Sequence, residues 1–207
     1  PGIKNVKVYD IREPRAKDFE KYCREKYNVE VQLEGKIADA VTGCQIVNTS
    51  TASRQPLFDK TAVSPGTHFN AIGADAEGKQ ELSASILKDA VLVIDDWAEA
   101  SHTGEINVPV HMGELKREDI NADLGEIVTG QKQGRQSQDD ITVFEVLMEQ
   151  SFQKIVHDDS LDSNQKTRQF RNRLRRLRYP HITEAENNFS TQTKKMGLGE
   201  RFRLIAP

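Results

Sequence analysis

The 207-residue sequence holds only two cysteines, Cys23 and Cys44. They are too few and too unpatterned for a disulfide framework or a zinc site, and both are expected as free thiols. Its five histidines fall in no metal-ligand spacing, so no metal centre is expected. His68, inside an apolar run, reads as a core or turn residue. No apolar stretch approaches the roughly 20 residues that span a bilayer. The first residues, PGIKNVKVYD, lack the basic-then-apolar layout of a signal peptide. Neither a membrane protein nor a disulfide-built secreted domain is expected, and a cytoplasmic location is the default. There is no internal repeat.

Charge is where the sequence is uneven. The net charge is −3, yet from Gln165 onward eleven Lys or Arg face three Glu, a net +8 that leaves −11 for the remainder. Such asymmetry predicts two pieces of different character.

The acidic piece has a regular rhythm. Strands are predicted at 6–10 (VKVYD), 29–33 (VEVQL), 44–49 (CQIVNT), 67–73 (THFNAIG), 91–95 (VLVID) and 141–144 (ITVF). Between them lie helical patterns. EPRAKDFEKYCREKY has helical spacing through Ala16, Phe19, Cys23 and Tyr27, and shorter stretches run from Ile37 to Val41 and over KQELSASILKDA. WAEASHTGEI stops at Gly104 and LGEIVTG at Gly130. Short strands alternating with helices are the mark of βαβ units and a mainly parallel sheet. The expected class is α/β, with these strands in one sheet. A continuous apolar run such as VLVI suits a sheet covered on both faces. After Phe144 the rhythm stops: SLDSNQK is linker-like and RQFRNRLRRLRYP is an arginine run ending at proline. The division expected is an α/β domain over 1–145 and a basic, mainly helical or irregular segment over 146–207.

Two acids sit where strands run out. Asp75 follows an apolar run and precedes Gly78 and Lys79, and open α/β sheets hold their ligands at the carboxyl ends of strands. Turn chemistry is the plain alternative, because Asp and Gly are common loop residues. Asp10 ends VKVYD, the position from which an acid binds the ribose hydroxyls of a dinucleotide. The Gly-rich phosphate loop belongs roughly 20 residues before such an acid, and Asp10 is too near Pro1 for that. Either Asp10 is a solvated strand end, or the sequence starts inside a Rossmann domain.

Longer motifs bear on this choice: VKVYDIR, GCQIVNTSTASRQP, PGTHFNAIGADAEGKQEL, VLVIDDWAEASHTGEINVPV and LGEIVTGQKQGRQSQDDITVF. Together, from Ile3 to about Phe144, they resemble the ornithine cyclodeaminase/mu-crystallin family, most closely its archaeal-type alanine dehydrogenase branch. The resemblance implies an incomplete Rossmann-like, doubly wound domain that binds NAD and acts on a small amino acid, in proteins that are homodimers at full length. It places Asp10 as the ribose-binding acid and Thr51 as a nucleotide-contacting hydroxyl. Ile72, Gly73, Ala74 and Asp75 match the loop under the nicotinamide, Lys79 matches a lysine that helps hold the cofactor, and Asp75 takes the position of the catalytic acid. The resemblance also implies three departures. The family's first strand with its Gly-rich loop, and its N-terminal substrate domain, are expected to be absent from this chain. After ITVF the family continues Asp-Ser-(Thr/Val)-Gly, whereas here Glu145 and Val146 stand at the first two places. By itself the chain is therefore expected not to turn over amino acids.

A second role belongs to another class: the domain as inert scaffold, with the basic segment binding nucleic acid or a partner. Arg168, Arg171, Arg173, Arg175, Arg176 and Arg178 would neutralise phosphates, and such binding weakens steeply with salt. Phe170 and Tyr179 would add stacking. The acidic balance of the whole argues against a dedicated nucleic-acid binder, and a solvated helix face is the simpler reading of the run. A third reading is a disrupted gene joined to unrelated sequence. Among the other conspicuous residues, Asp95 and Asp96 are expected to cap the helix that Trp97 opens. Arg135 is expected to pair with a surface acid, and Glu105 has no assigned chemistry.

Overall fold

Alternating short apolar runs and amphipathic stretches become strands and helices in that order in a computed structural model, which describes residues 2–27, 29–145 and 165. The chain divides into two compact units, Pro1–Leu147 and Met148–Pro207. The basic segment expected over 146–207 and its arginine run lie, apart from Gln165, outside the described residues. In the first unit the strands are β1 (Asn5–Val8), β2 (Glu30–Leu33), β3 (Ile46–Thr49), β4 (His68–Ala71), β5 (Val91–Ile94), β6 (Ala122–Asp123) and β7 (Thr142–Glu145). The helices are α1 (Glu13–Tyr27), α2 (Ile37–Val41), α3 (Ala84–Asp89), α4 (Trp97–His102), α5 (Asn107–His111) and α6 (Leu124–Val128).

Every strand pair is parallel, as α/β crossovers require. The single sheet expected from the sequence is, however, two. Among the described residues β1 pairs only with β2, and the other five strands run in the order β3-β4-β7-β5-β6. A ladder continues only where each edge finds a partner at strand spacing. β1 and β3 each pair on one side only, and no strand among the described residues joins their free edges. β1 is fastened instead through α2: Lys7 Nζ donates to the carbonyls of Asp39 and Thr42, each at 2.9 Å.

Local chemistry sets the helix ends. α1 starts with Glu13 and Pro14 and ends with Arg24 and Lys26 in its last turn, which suits the helix dipole. Glu13 and Lys17 pair one turn apart at 2.6 Å. Of its expected apolar stripe only Ala16 and Cys23 are buried, while Phe19 and Tyr27 stay exposed, because α1 packs on the narrow sheet that β2 completes. Asp96 caps α4 by accepting from Glu99 N at 3.0 Å, as expected, whereas Asp95 Oδ1 accepts from Asp96 N at 2.8 Å. Gly130, with φ of 73°, ends α6 in a left-handed conformation that glycine adopts without strain.

The helix expected over KQELSASILKDA begins only at Ala84. The amides of Glu81 and Leu82 are held by the Glu105 carboxylate, at 2.8 and 2.6 Å, so KQEL is drawn into a loop. α5 and β6 were not anticipated. The first is five residues with a proline inside it, and the second is only two residues long.

The core gathers about the five-stranded sheet: Phe69, Leu82, Ile86, Leu92, Ile94, Ile106 and Val143 are all buried. Phe58 stacks on Phe69 with ring centroids 6.0 Å apart. Leu92 lies on β5 between β7 and β6 and has no exposed surface. Leu92→Ala is expected to cost roughly 2–5 kcal/mol of stability, the range for emptying such a site. Urea titration checks this, with a lower midpoint at unchanged slope.

Candidate functional site

β3 and β4 run side by side to their last pair, Thr49 and Ala71, so the segments leaving them emerge together at the carboxyl edge. Ile72 N donates to Thr49 O at 3.0 Å. Just beyond, one buried side chain joins the two segments: Glu81 Oε1 accepts from Thr51 N at 2.5 Å, and its Oε2 accepts from Gly73 N at 2.9 Å. A Cβ on Gly73 would stand 2.5 Å from that carboxylate, so only glycine fits the approach. Ala74 is buried, with Ile72 and Gly73 half-buried on either side of the loop's turn from the sheet. The Thr51 hydroxyl accepts from Ser53 N at 3.2 Å in a local turn.

Asp75 and Lys79 form an ion pair across one turn, both partly buried. The loop carrying them is pinned from the α4–α5 junction. Buried Asn107 accepts from Gly78 N at 2.9 Å and donates to Lys79 O at 2.8 Å. Gly78 takes a φ of 76°. The acid is thus held on a fixed loop rather than a wandering one.

Asp10 lies just past the carboxyl end of β1, half-buried, and accepts from Arg12 N at 2.7 Å through Oδ1. Among the described residues no hydrogen bond or ion pair joins it to the segments after β3 and β4. The structure therefore brings together Thr51 with Ile72–Ala74, and Asp75 with Lys79, while Asp10 stands at the end of the other sheet.

Behind the loop lies a series of buried carboxyl groups that the sequence reading had missed or left without a role. Glu81, Glu105 and Glu145 have no exposed surface. Glu105 holds the amides of Glu81 and Leu82, and Glu145, at the end of the central strand β7, accepts from Glu105 N at 3.2 Å. Loss of water pushes the Glu105 carboxyl up to about 8, against the pull of the two amides it accepts from. Loss of water, with Asp95 close by, pushes Glu145 up to about 8 as well. Among the described residues each leaves its Oε2 without a hydrogen-bond partner, as suits a carboxyl that keeps its proton at neutral pH. Gly104 has no side chain because a Cβ there would overlap the Glu145 carboxylate. An acid inside an otherwise apolar run, as in GEINVPV, was the available signal for Glu105; KQEL carries none that separates Glu81 from a surface acid.

Other side chains fall outside this group. Among the described residues Arg135 makes no ion pair within 4.0 Å, although the amides of Ser137 and Gln136, helped by its charge, lower the Asp140 carboxyl. Its guanidinium donates to Gln138 O at 3.3 Å and to Thr142 Oγ1, at the start of β7, at 3.0 Å. His68, half-buried, meets Thr142 Oγ1 at 2.6 Å and Asn70 Oδ1 at 3.2 Å. Burial lowers its pKa. A hollow lined by Gly43, Cys44, Ser64, Gly66, Arg135 and Gln138 opens before β3, β4 and β7, at the amino edge. Ligands of such sheets sit at the other edge. Cys23 and Cys44 are free thiols. Among the described residues no group of three or more His, Cys, Asp or Glu is arranged to hold a metal ion, and no helix is long and apolar enough to cross a membrane.

Comparison with known proteins bears on this edge. The sequence profile of the ornithine cyclodeaminase/mu-crystallin family matches residues 1–161. The alanine dehydrogenase of Archaeoglobus fulgidus is 40% identical over 166 residues, 78% of this chain and 51% of that protein. Among solved structures, an archaeal alanine dehydrogenase dimer with bound NAD superposes with a TM-score of 0.67 at 43% identity, over 70% of this chain and 44% of that one. The Thermococcus litoralis Delta(1)-pyrroline-2-carboxylate reductase, in complex with NADH and L-proline, gives 0.65 at 29% identity, over 69% and 44%. The chain spans about half the length of the relatives it matches.

Proposed function

We propose, because this chain belongs to the ornithine cyclodeaminase/mu-crystallin family, that it is the NAD-binding part of an enzyme that oxidises a small amino acid at its amino-bearing carbon. Oxidative deamination of L-alanine to pyruvate and ammonia is the favoured reaction, and ornithine cyclodeamination is next. The observation that carries the reading is the bridging of Thr51 to Gly73 at the carboxyl edge of a parallel sheet, with Asp75 on the same loop.

The residues present fit the adenosine-ribose and nicotinamide ends of a dinucleotide. Asp10 would accept from the ribose hydroxyls, and Thr51 and Lys79 would contact the nucleotide. The Ile72–Ala74 loop, with a glycine at its centre, would admit a flat ring close to the backbone. When bound, NAD supplies the hydride acceptor, and that chemistry is the cofactor's own. The protein's part is the proton. Once the amino acid has lost a hydride and become an imine, the Asp75 carboxylate takes a proton from the water that attacks the imine carbon. It then returns the proton to the departing amine, as a general base and then an acid. Lys79, one turn away, fixes the direction of the carboxylate.

The similarity to a pyrroline-carboxylate reductase supports a second reading, in which the same site runs toward imine reduction. Asp75 would then steady the protonated imine while hydride arrives. Incubating NAD with L-alanine and then with ornithine, and NADH with a cyclic imine, separates these readings by the absorbance of the reduced nicotinamide. The protein for the assay is this domain within a chain of its relatives' full length. No change with any of the three would count against both.

Asp10 also bears on cofactor choice. A carboxylate accepts from a free 2′-hydroxyl and repels a 2′-phosphate, so NAD is preferred to NADP, with Arg12 nearby to soften the preference. In the same full-length protein, Asp10→Ala is expected to narrow the gap between the two cofactors by about tenfold or more, given that a charge-assisted hydrogen bond contributes ~1.5–3 kcal/mol. Parallel titrations with both cofactors check this, and an unchanged ratio would remove Asp10 from the ribose site.

A further inference from the structure

We propose that Glu81 is the positioning residue of the nucleotide site, setting the separation of the segments after β3 and β4; this rests on the NAD reading above. Its carboxylate has no exposed surface and uses both oxygens, one on Thr51 N and one on Gly73 N. Burying a carboxylate is costly unless hydrogen bonds replace its water. Two amide donors do so here, in bonds stronger than neutral ones.

Glu81 lies further along the segment after β4, which it folds back onto Gly73 and ties to the segment after β3. Its two contacts span 30 and 8 residues of sequence. Its own backbone is fixed on both sides, since Glu105 holds its amide at 2.8 Å and its carbonyl accepts from Leu57 N at 2.8 Å. Through Glu105 and Glu145 the support reaches the end of β7 in the middle of the sheet. A run of carboxyl-to-amide contacts thereby carries the rigidity of the central strand out to Thr51 and Gly73. Both segments contain residues assigned above to the nucleotide, so a change in their spacing reaches the cofactor without any contact between Glu81 and the cofactor itself.

The chemistry of the pair selects the variants. Glu81→Gln keeps the size but turns one acceptor into an NH2 donor facing an N–H, so one of the two contacts is lost. Glu81→Asp keeps the charge but is one methylene too short to reach both amides. The experiment uses this domain, labelled with 15N, within a chain of its relatives' full length. Amide hydrogen exchange is followed without nucleotide, and NADH affinity is measured by fluorescence titration up to millimolar concentration.

In Glu81→Gln at least one of the Thr51 and Gly73 amides is expected to exchange ten or more times faster. The amides of Phe69 and Leu92 should keep their wild-type rates, and NADH affinity should fall at least tenfold. Should Glu81→Gln fail to fold, as uniform loss of protection would show, Glu81→Asp is read by the same criteria. NADH binding within twofold of wild type in a folded variant, or loop amides as slow as in wild type, overturns the role of Glu81 alone. No NADH binding by the wild-type chain, with its loop amides protected, overturns the NAD reading and this role with it.

Discussion

Replacing Asp75 by Asn should lower kcat for amino-acid oxidation by about two to four orders of magnitude, the range over which a positioned acid–base group contributes. The measurement belongs to the full-length protein that carries this domain. Asparagine keeps the shape of the side chain and still fits beside Lys79, but it cannot take a proton from water. NADH affinity should change far less than kcat, because on the proposed reading Asp10, Thr51 and the loop backbone, not the Asp75 carboxylate, hold the cofactor. The acid limb of the pH–rate profile, which reports the base in the enzyme–substrate complex, should disappear with the carboxylate. A kcat within threefold of wild type would reduce Asp75 to the ion-pair partner of Lys79. In that case Lys79→Met would release the loop as much as Asp75→Asn does, and the two variants would be indistinguishable in cofactor affinity.

The second large effect is on stability and comes from the buried acids. The carboxyls of Glu105 and Glu145, each about 8 in the folded chain against an ordinary 4.5, hold their protons while an unfolded chain has released them. Below about 4.5 both states are protonated, and burial carries no penalty for charge. As pH rises toward 8 the folded chain binds more protons than the unfolded one, so stability falls. The slope is at most about 1.4 kcal/mol per pH unit for each group, and less where the two influence each other. His68 acts in the opposite sense: its lowered pKa adds stability as pH rises through the region of 6.5. One imidazole then opposes two carboxyls, and a net loss from pH 5 to 8 is expected in urea midpoints. Glu145→Gln should flatten that loss and leave the variant more stable than wild type at pH 8. The amide oxygen keeps the contact to Glu105 N, and its NH2 stands where the unpartnered oxygen stood. Wild-type stability that holds steady or rises across the window, with Glu145→Gln unchanged in slope, would mean that both carboxyls are ionised and paired.

The fold was legible in the sequence where local pattern decides it. VLVI, ITVF and IVNT are short β-branched runs, and each became a strand of a parallel sheet. EPRAKDFEKYCREKY carries a proline at its start, acids before bases and one-turn charge pairs, and it became α1. What failed depended on distant partners. KQEL reads as helix until Glu105, more than twenty residues on, takes the amides that a helix would use. The break between β1 and β3 is likewise a matter of which edges find partners, and the apolar pattern of each strand carries no record of it. At the candidate site Thr51, Gly73, Asp75 and Lys79 were marked by resemblance to a family, and the structure places Thr51 beside Gly73 and Asp75 beside Lys79. The groups that fix them, Glu81, Asn107 and Glu145, were not legible, because residue type alone does not separate a solvated acid or amide from one buried on backbone amides.

The central claim is that the carboxyl edge of this domain binds NAD through Asp10, Thr51 and the loop from Ile72 to Lys79. Titrating this domain, 15N-labelled within a chain of its relatives' full length, with NAD, and separately with NADP, tests it most directly. The account predicts amide shifts confined to residues 10–12, 51–53 and 72–79, larger with NAD than with NADP at equal concentration. Shifts gathered instead about Gly43, Gly66 and Arg135 at the amino edge, or none at all at millimolar NAD, would contradict it.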